Sequence, residues 1–124
     1  MAQIFFVLGC LFAFVGVAAG AFGAHGLKTV LSADLLTVFE TGVRYQMYHA
    51  FGLFVVAWTA QQSSQAAAWV SMAGWLFVAG IVLFSGSLYL VSLSGVRWMG
   101  AFTPVGGVAL LAGWLTLAWG VWKA

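Results

Sequence analysis

Charge is what this chain has least of: four Lys and Arg against two Asp and Glu, 5% of its residues. A soluble domain carries roughly a quarter charged residues. A small soluble domain also leaves much of its surface in water, and a chain that is 65% apolar cannot furnish such a surface. The shortage excludes an aqueous fold and makes lipid the expected solvent. A net charge of +2 is too weak a basic bias for nucleic acid. Cysteine is reduced to Cys10, which excludes an internal disulfide and, inside an apolar run, reads as filler. No Lys or Arg precedes the first apolar run, and that run is longer than a signal-peptide core, so it reads as a retained membrane helix.

What the chain does have is apolar runs of spanning length, which is about 20 residues. Its 124 residues leave room for one domain. Ile4 to Ala24 is uncharged, Ala66 to Leu93 is long enough to tilt, and a fourth run follows Thr103-Pro104, read as an N-cap with proline at the first helical position. The second run is purely apolar only from Ala50 to Ala60 and needs part of Arg44 to His49 to cross. Between the first two runs, Leu27, Val30, Leu31, Leu35, Val38 and Phe39 recur at helical spacing opposite Lys28, Ser32, Glu40 and Thr41. Such an amphipathic segment lies most simply in the headgroup plane, with Ser32 as its N-cap. The expected fold is an all-α integral membrane domain over residues 1–124. Four transmembrane helices, at about 4–24, 43–60, 66–93 and 103–122, form an up-and-down bundle. A short interfacial helix at about 33–42 joins the first two.

Small residues fall into stripes. Gly9, Ala13, Gly16, Gly20 and Gly23 step by four and three along one helix face, as do Gly106, Ala109, Gly113, Thr116 and Gly120. Such faces let helices approach closely in lipid. Ala73, Gly80, Ser87 and Ser94 repeat every seven residues on the third run, which Ser94-Gly95 closes as a C-cap.

The unusual residues gather between Gly20 and His49, where both histidines and both acids lie. Ionisable groups at membrane depth are costly and mark candidate sites. His25, Glu40, Arg44, Tyr45, Gln46 and His49 form that candidate set. Glu40 and Arg44 are spaced for an ion pair on a helix, Tyr45 and His49 share a face, and the connection returns His25 and His49 toward one membrane side. Two histidines make a poor zinc site, which usually takes three protein ligands, and the CxxCH haem motif is absent. No metal, cofactor or catalytic constellation is expected. Trp75 and Trp114 lie deep and read as packing residues.

The blocks GAFGAHGL (Gly20 to Leu27), RYQMYHAFGL (Arg44 to Leu53), LFSGSLYL (Leu83 to Leu90) and TPVGG (Thr103 to Gly107) together resemble the domain-of-unknown-function 423 family. These are small bacterial inner-membrane proteins with a mitochondrial relative in animals. The resemblance implies a four-helix membrane protein and brings no activity and no site residues.

The expected role is therefore non-enzymatic: a packing or accessory subunit that self-associates or joins a larger membrane complex, with the bilayer as its first partner. One alternative is a small carrier or proton or ion pathway lined by the polar 25–49 stretch. Another is a redox or cofactor subunit with His25 and His49 as ligands. Lys28, Arg44 and Arg97 against Lys123 place both termini on the non-cytoplasmic side of the cell's inner membrane.

Overall fold

A computed structural model describes residues Met1–Ala124. The chain is helical throughout, in four rods. Helix α1 is Ala2–Phe22, extended by a π-helical segment Gly23–Leu27. Helix α2 is Ala33–Gln62. Helix α3 is Ala67–Ser94, with a π segment at Ile81–Ser85 inside it. Helix α4 is Phe102–Lys123, entered through a 3-10 turn at Arg97–Ala101. Three of the four rods, those containing α1, α3 and α4, are long and apolar enough to cross a membrane.

The expected separate helix at 33–42 does not exist as such. Ser32 does cap a helix, accepting from the Leu35 amide at 3.3 Å, but that helix runs unbroken for 30 residues through position 43 to Gln62. Hydropathy drops over 33–42, yet the backbone has no reason to stop. Phe39 is buried, against Gly23 of α1 and the Tyr89 ring of α3, so the first turns of α2 are already part of the bundle. The start of α4 also differs. Thr103 lies inside the helix rather than capping it, and its hydroxyl pairs with Ser87 of α3. Pro104 still falls in the first turn, where a missing N–H leaves no intrahelical bond unmade. Gly95 does end α3, at φ 71°, a left-handed conformation that suits glycine.

Neighbouring helices are antiparallel. Gly9, Gly16, Gly20 and Gly23 of α1 meet Ala50, Met47, Val43 and Phe39 of α2 in descending order. Gly106, Gly113 and Gly120 of α4 meet Phe84, Phe77 and Trp69 of α3 in the same way. Both glycine stripes are consumed inside the chain. At Gly106 the requirement is strict, because a Cβ there would collide with the backbone of Phe84 in the π segment. Helices α2 and α3 form the middle of the assembly, with α1 against α2 and α4 against α3.

The interior is divided along its length. Toward the termini and the 63–66 turn it is apolar, built from Phe5, Leu53, Val56, Val70, Phe77 and Leu117. Toward the other end, buried Gln46, Ser85, Ser87 and Ser92 replace it with hydrogen bonds. That polar half holds the candidate site.

Candidate functional site

Helix α2 supplies the centre of the polar half. Its face carries Gly42, Gln46 and His49 at spacings of four and three, so one stripe points inward for two turns. Gly42 has no side chain, and its carbonyl accepts from Ser85 Oγ at 2.6 Å. Gln46, 3% exposed, is the hub. Its Nε2 donates to the Phe12 carbonyl at 2.8 Å, and its Oε1 accepts from the Tyr89 hydroxyl at 2.6 Å. One amide thus ties α1, α2 and α3 together, and both ends of it are satisfied.

His49 lies one turn further in and is 6% exposed. Its Nδ1 is 2.7 Å from the Tyr45 carbonyl, and its Nε2 is 3.0 Å from Trp114 Nε1. An indole nitrogen only donates, and a carbonyl oxygen only accepts. Nε2 is therefore the acceptor and Nδ1 carries the proton, so the two partners hold the imidazole in one tautomer. Phe77 completes the surroundings, edge-on to His49 at 5.5 Å and 4.7 Å from the Trp114 ring. Trp114, expected as a packing residue, is also a hydrogen-bond donor to the site.

Tyr45 sits over His49, rings nearly parallel at 6.3 Å, and packs on Phe84 at 4.8 Å. A cavity of about 490 Å³ opens beside these residues, between α2 and α4.

The rest of the expected set is not gathered here. His25 is exposed in the π segment that ends α1. Gln46 lies level with Phe12 of α1, and Phe12 is 13 residues from His25, about 20 Å at helical rise. The two histidines do not converge: the connection does return to the same end, but His49 is carried deep into the bundle by the continuous α2. Glu40 and Arg44 are both exposed, on the outer side of α2, and no hydrogen bond joins them. No three His, Cys, Asp or Glu side chains come together as metal ligands. Every buried side-chain nitrogen and oxygen has a hydrogen-bond partner.

Sequence reasoning missed Tyr89 and Trp114 as partners of α2. The one available signal for Tyr89 was the LFSGSLYL block, which says nothing about what it bonds.

Comparison with known proteins agrees with the resemblance carried by the four sequence blocks. The family described as "Protein of unknown function (DUF423)" matches residues 19–107, a range that contains all four. The chain is 50% identical over 115 residues to the UPF0382 membrane protein YwdK of Bacillus subtilis, covering 93% of each. It is 47% identical over 121 residues to the UPF0382 membrane protein SSP2132 of Staphylococcus saprophyticus, covering 98% of each. A UPF0382 membrane protein of Haemophilus influenzae is 40% identical over 124 residues, all of this chain and 98% of that one. No solved structure matches.

Proposed function

The chain belongs to the DUF423 family of membrane proteins of unknown function, and from that premise we propose a non-enzymatic, four-span accessory protein of the cell's inner membrane. The observation that carries the reading is the state of its deepest polar group. Both nitrogens of His49 are committed to protein partners, to Tyr45 and to Trp114. In this arrangement the imidazole presents neither an unpaired lone pair to a metal nor an unpaired N–H to a substrate. The surrounding network is likewise closed. Closed polar networks of this kind fix helix register in lipid.

Helix α2 is the fourth span. At 30 residues it is about 45 Å long, against about 30 Å of hydrocarbon. Its first turns, carrying Asp34 and Glu40, reach the headgroups, the long side chain of Arg44 extends up toward them, and His49 lies near mid-bilayer. Exposed Trp58, Trp69, Trp119 and Trp122 gather at the opposite end, as an interfacial belt. Lys28, Arg44 and Arg97 at one end against Lys123 at the other orient both termini away from the cytoplasm.

A conducting role needs polar groups across the whole bilayer. Beyond the His49–Trp114 pair the interior is lined by Phe77, Leu53, Val56, Val70 and Leu117, which supports the non-conducting reading. Self-association or joining a complex would use the outer apolar faces of α1 and α4, such as Phe14, Val17, Leu111 and Leu115, since the glycine stripes are occupied.

The test is reconstitution of the purified protein. Liposomes carrying an internal pH dye are expected to hold an imposed proton gradient as long as empty ones, and the preparation is expected to contain no haem and no stoichiometric metal. Crosslinking in native membranes is expected to trap a partner or a second copy. Gradient collapse, bound haem or metal, or a chain that crosslinks to nothing overturns the reading.

A further inference from the structure

Helices α2 and α4 approach each other only narrowly, with α3 behind them. One hydrogen bond, Trp114 to His49, closes the gap at its deep end. From there toward the start of α4 the helices leave a slot of about 490 Å³, lined by Tyr45, His49, Phe84, Pro104, Gly107 and Trp114. That volume lies inside the range of small-molecule sites, roughly 300 to 1,000 Å³. Pro104 to Trp114 is ten residues, about 15 Å of helix. On the four-span reading, which this inference rests on, the slot runs from the headgroup level of α4 to mid-bilayer and opens sideways into lipid.

Two features of the lining choose among lipophilic occupants. The first is ring content: Tyr45, Phe84, the His49 imidazole and the Trp114 indole line the slot, and flat rings stack favourably on such faces. The second is the Tyr45 side chain. It is 39% exposed, and its hydroxyl makes no hydrogen bond within the chain, although it sits on an otherwise apolar wall. An acyl chain would use neither the rings nor the hydroxyl. A flat ring carrying oxygen would use both. Gly107 gives the slot its width: a Cβ at that position would meet only the Phe84 ring, at 3.7 Å, and anything longer would extend into the space.

We propose that the slot binds a membrane-dissolved molecule with a flat conjugated ring bearing carbonyl oxygens, of the quinone class, with the ring among Tyr45, Phe84 and Trp114 and the Tyr45 hydroxyl donating to a ring oxygen. The inference concerns binding alone; no electron transfer is attached to it.

The experiment uses the full chain in lipid nanodiscs, equilibrated with a decyl-tailed benzoquinone, with empty nanodiscs as the partition control. Saturable binding of one quinone per chain above the control is expected. Gly107→Leu, which fills the slot, is expected to weaken it about tenfold or more. Tyr45→Phe, which removes one donor, is expected to weaken it about fivefold. Leu111→Trp, on the exposed slot wall, is the second filling variant if Gly107→Leu does not fold. Oleic acid is expected not to displace the quinone. No excess over empty nanodiscs, unchanged binding in a folded filling variant, or equal displacement by oleic acid overturns the proposal, the last by making the slot an acyl-chain site. The four-span reading is decided separately, by labelling the ends of α2, so its failure is distinguishable from a failure of quinone binding.

Discussion

Trp114 donates its indole N–H to Nε2 of His49 at 3.0 Å, across 65 residues of sequence, and forms the one hydrogen bond between α2 and α4. The bond sits where the polar half of the bundle meets the apolar half, against Phe77. Its position gives it a value beyond its energy, because it sets how far α4 can drift from α2.

Trp114→Phe keeps a ring at this position and leaves His49 Nε2 without a donor. Interhelical hydrogen bonds in lipid average about 0.6 kcal/mol and reach about 1.7. An unpaired buried acceptor belongs at the upper end of that range. The variant should lose about 1 to 2 kcal/mol in reversible unfolding from detergent. The double variant with His49→Phe should lose less than the sum of the two single changes, since it removes both polar partners. Strict additivity would mean that the bond contributes nothing.

Gly106 and Gly107 are adjacent but face different surroundings. A methyl at Gly106 meets the main chain of Phe84, which cannot rotate aside, whereas a methyl at Gly107 meets an ordinary ring contact at 3.7 Å. Gly106→Ala should cost about 3 kcal/mol or more, the severe end of overpacking. Gly107→Ala should fall within about 0.5 kcal/mol of the parent, or gain slightly from helix propensity. Equal effects at the two sites would refute the close approach of α4 to the π segment.

Much of this fold could be read from spacing, and the reasons are geometric. Gly9, Gly16 and Gly23 repeat at helical intervals because each must let α2 approach, so the pattern itself named a helix face. Ser32 and Gly95 mark helix ends by chemistry that is local in sequence. What failed was inference across environments. Polarity sets residues 33–42 apart from the second span, but polarity reports which solvent a residue meets, not whether the helix continues. The site failed for a different reason. Nothing near Gln46 in sequence shows that its partners are the Phe12 carbonyl and the Tyr89 hydroxyl, or that His49 pairs with Trp114 rather than His25. Those pairings exist only once α2 is packed between α1 and α3.

Gln46 makes two hydrogen bonds, to two different helices. Gln46→Leu keeps the approximate volume but leaves the Tyr89 hydroxyl and the Phe12 carbonyl without it. The carbonyl keeps its place in the helix, so most of the loss falls on Tyr89. About 1 to 2 kcal/mol of stability should go, against less than about 1 for Tyr89→Phe, which leaves only one atom of the amide unpaired. Denaturant titration in detergent would show the order. A larger loss from Tyr89→Phe would place the hub on α3 instead of α2.

The crossing of α2 is open to a direct check, because its two ends carry serines suited to replacement. Ser32 caps the start of the helix and is exposed, and Ser63 follows its last residue. In a Cys10→Ser background, single cysteines at 32 and at 63 should react with a membrane-impermeant maleimide from opposite sides of intact membranes. The residue at 63 should share its side with both termini, since α1 and α2 are antiparallel and the chain makes an even number of crossings. Cysteine at 32 should label only from the cytoplasmic side, together with one at exposed Ser94, because Lys28, Arg44 and Arg97 cluster at that end. Were 32 and 63 to label from one side, α2 would not span, and the depth assigned to His49 would fall with it. Opposite labelling with the sides reversed would keep the four spans and overturn only the orientation.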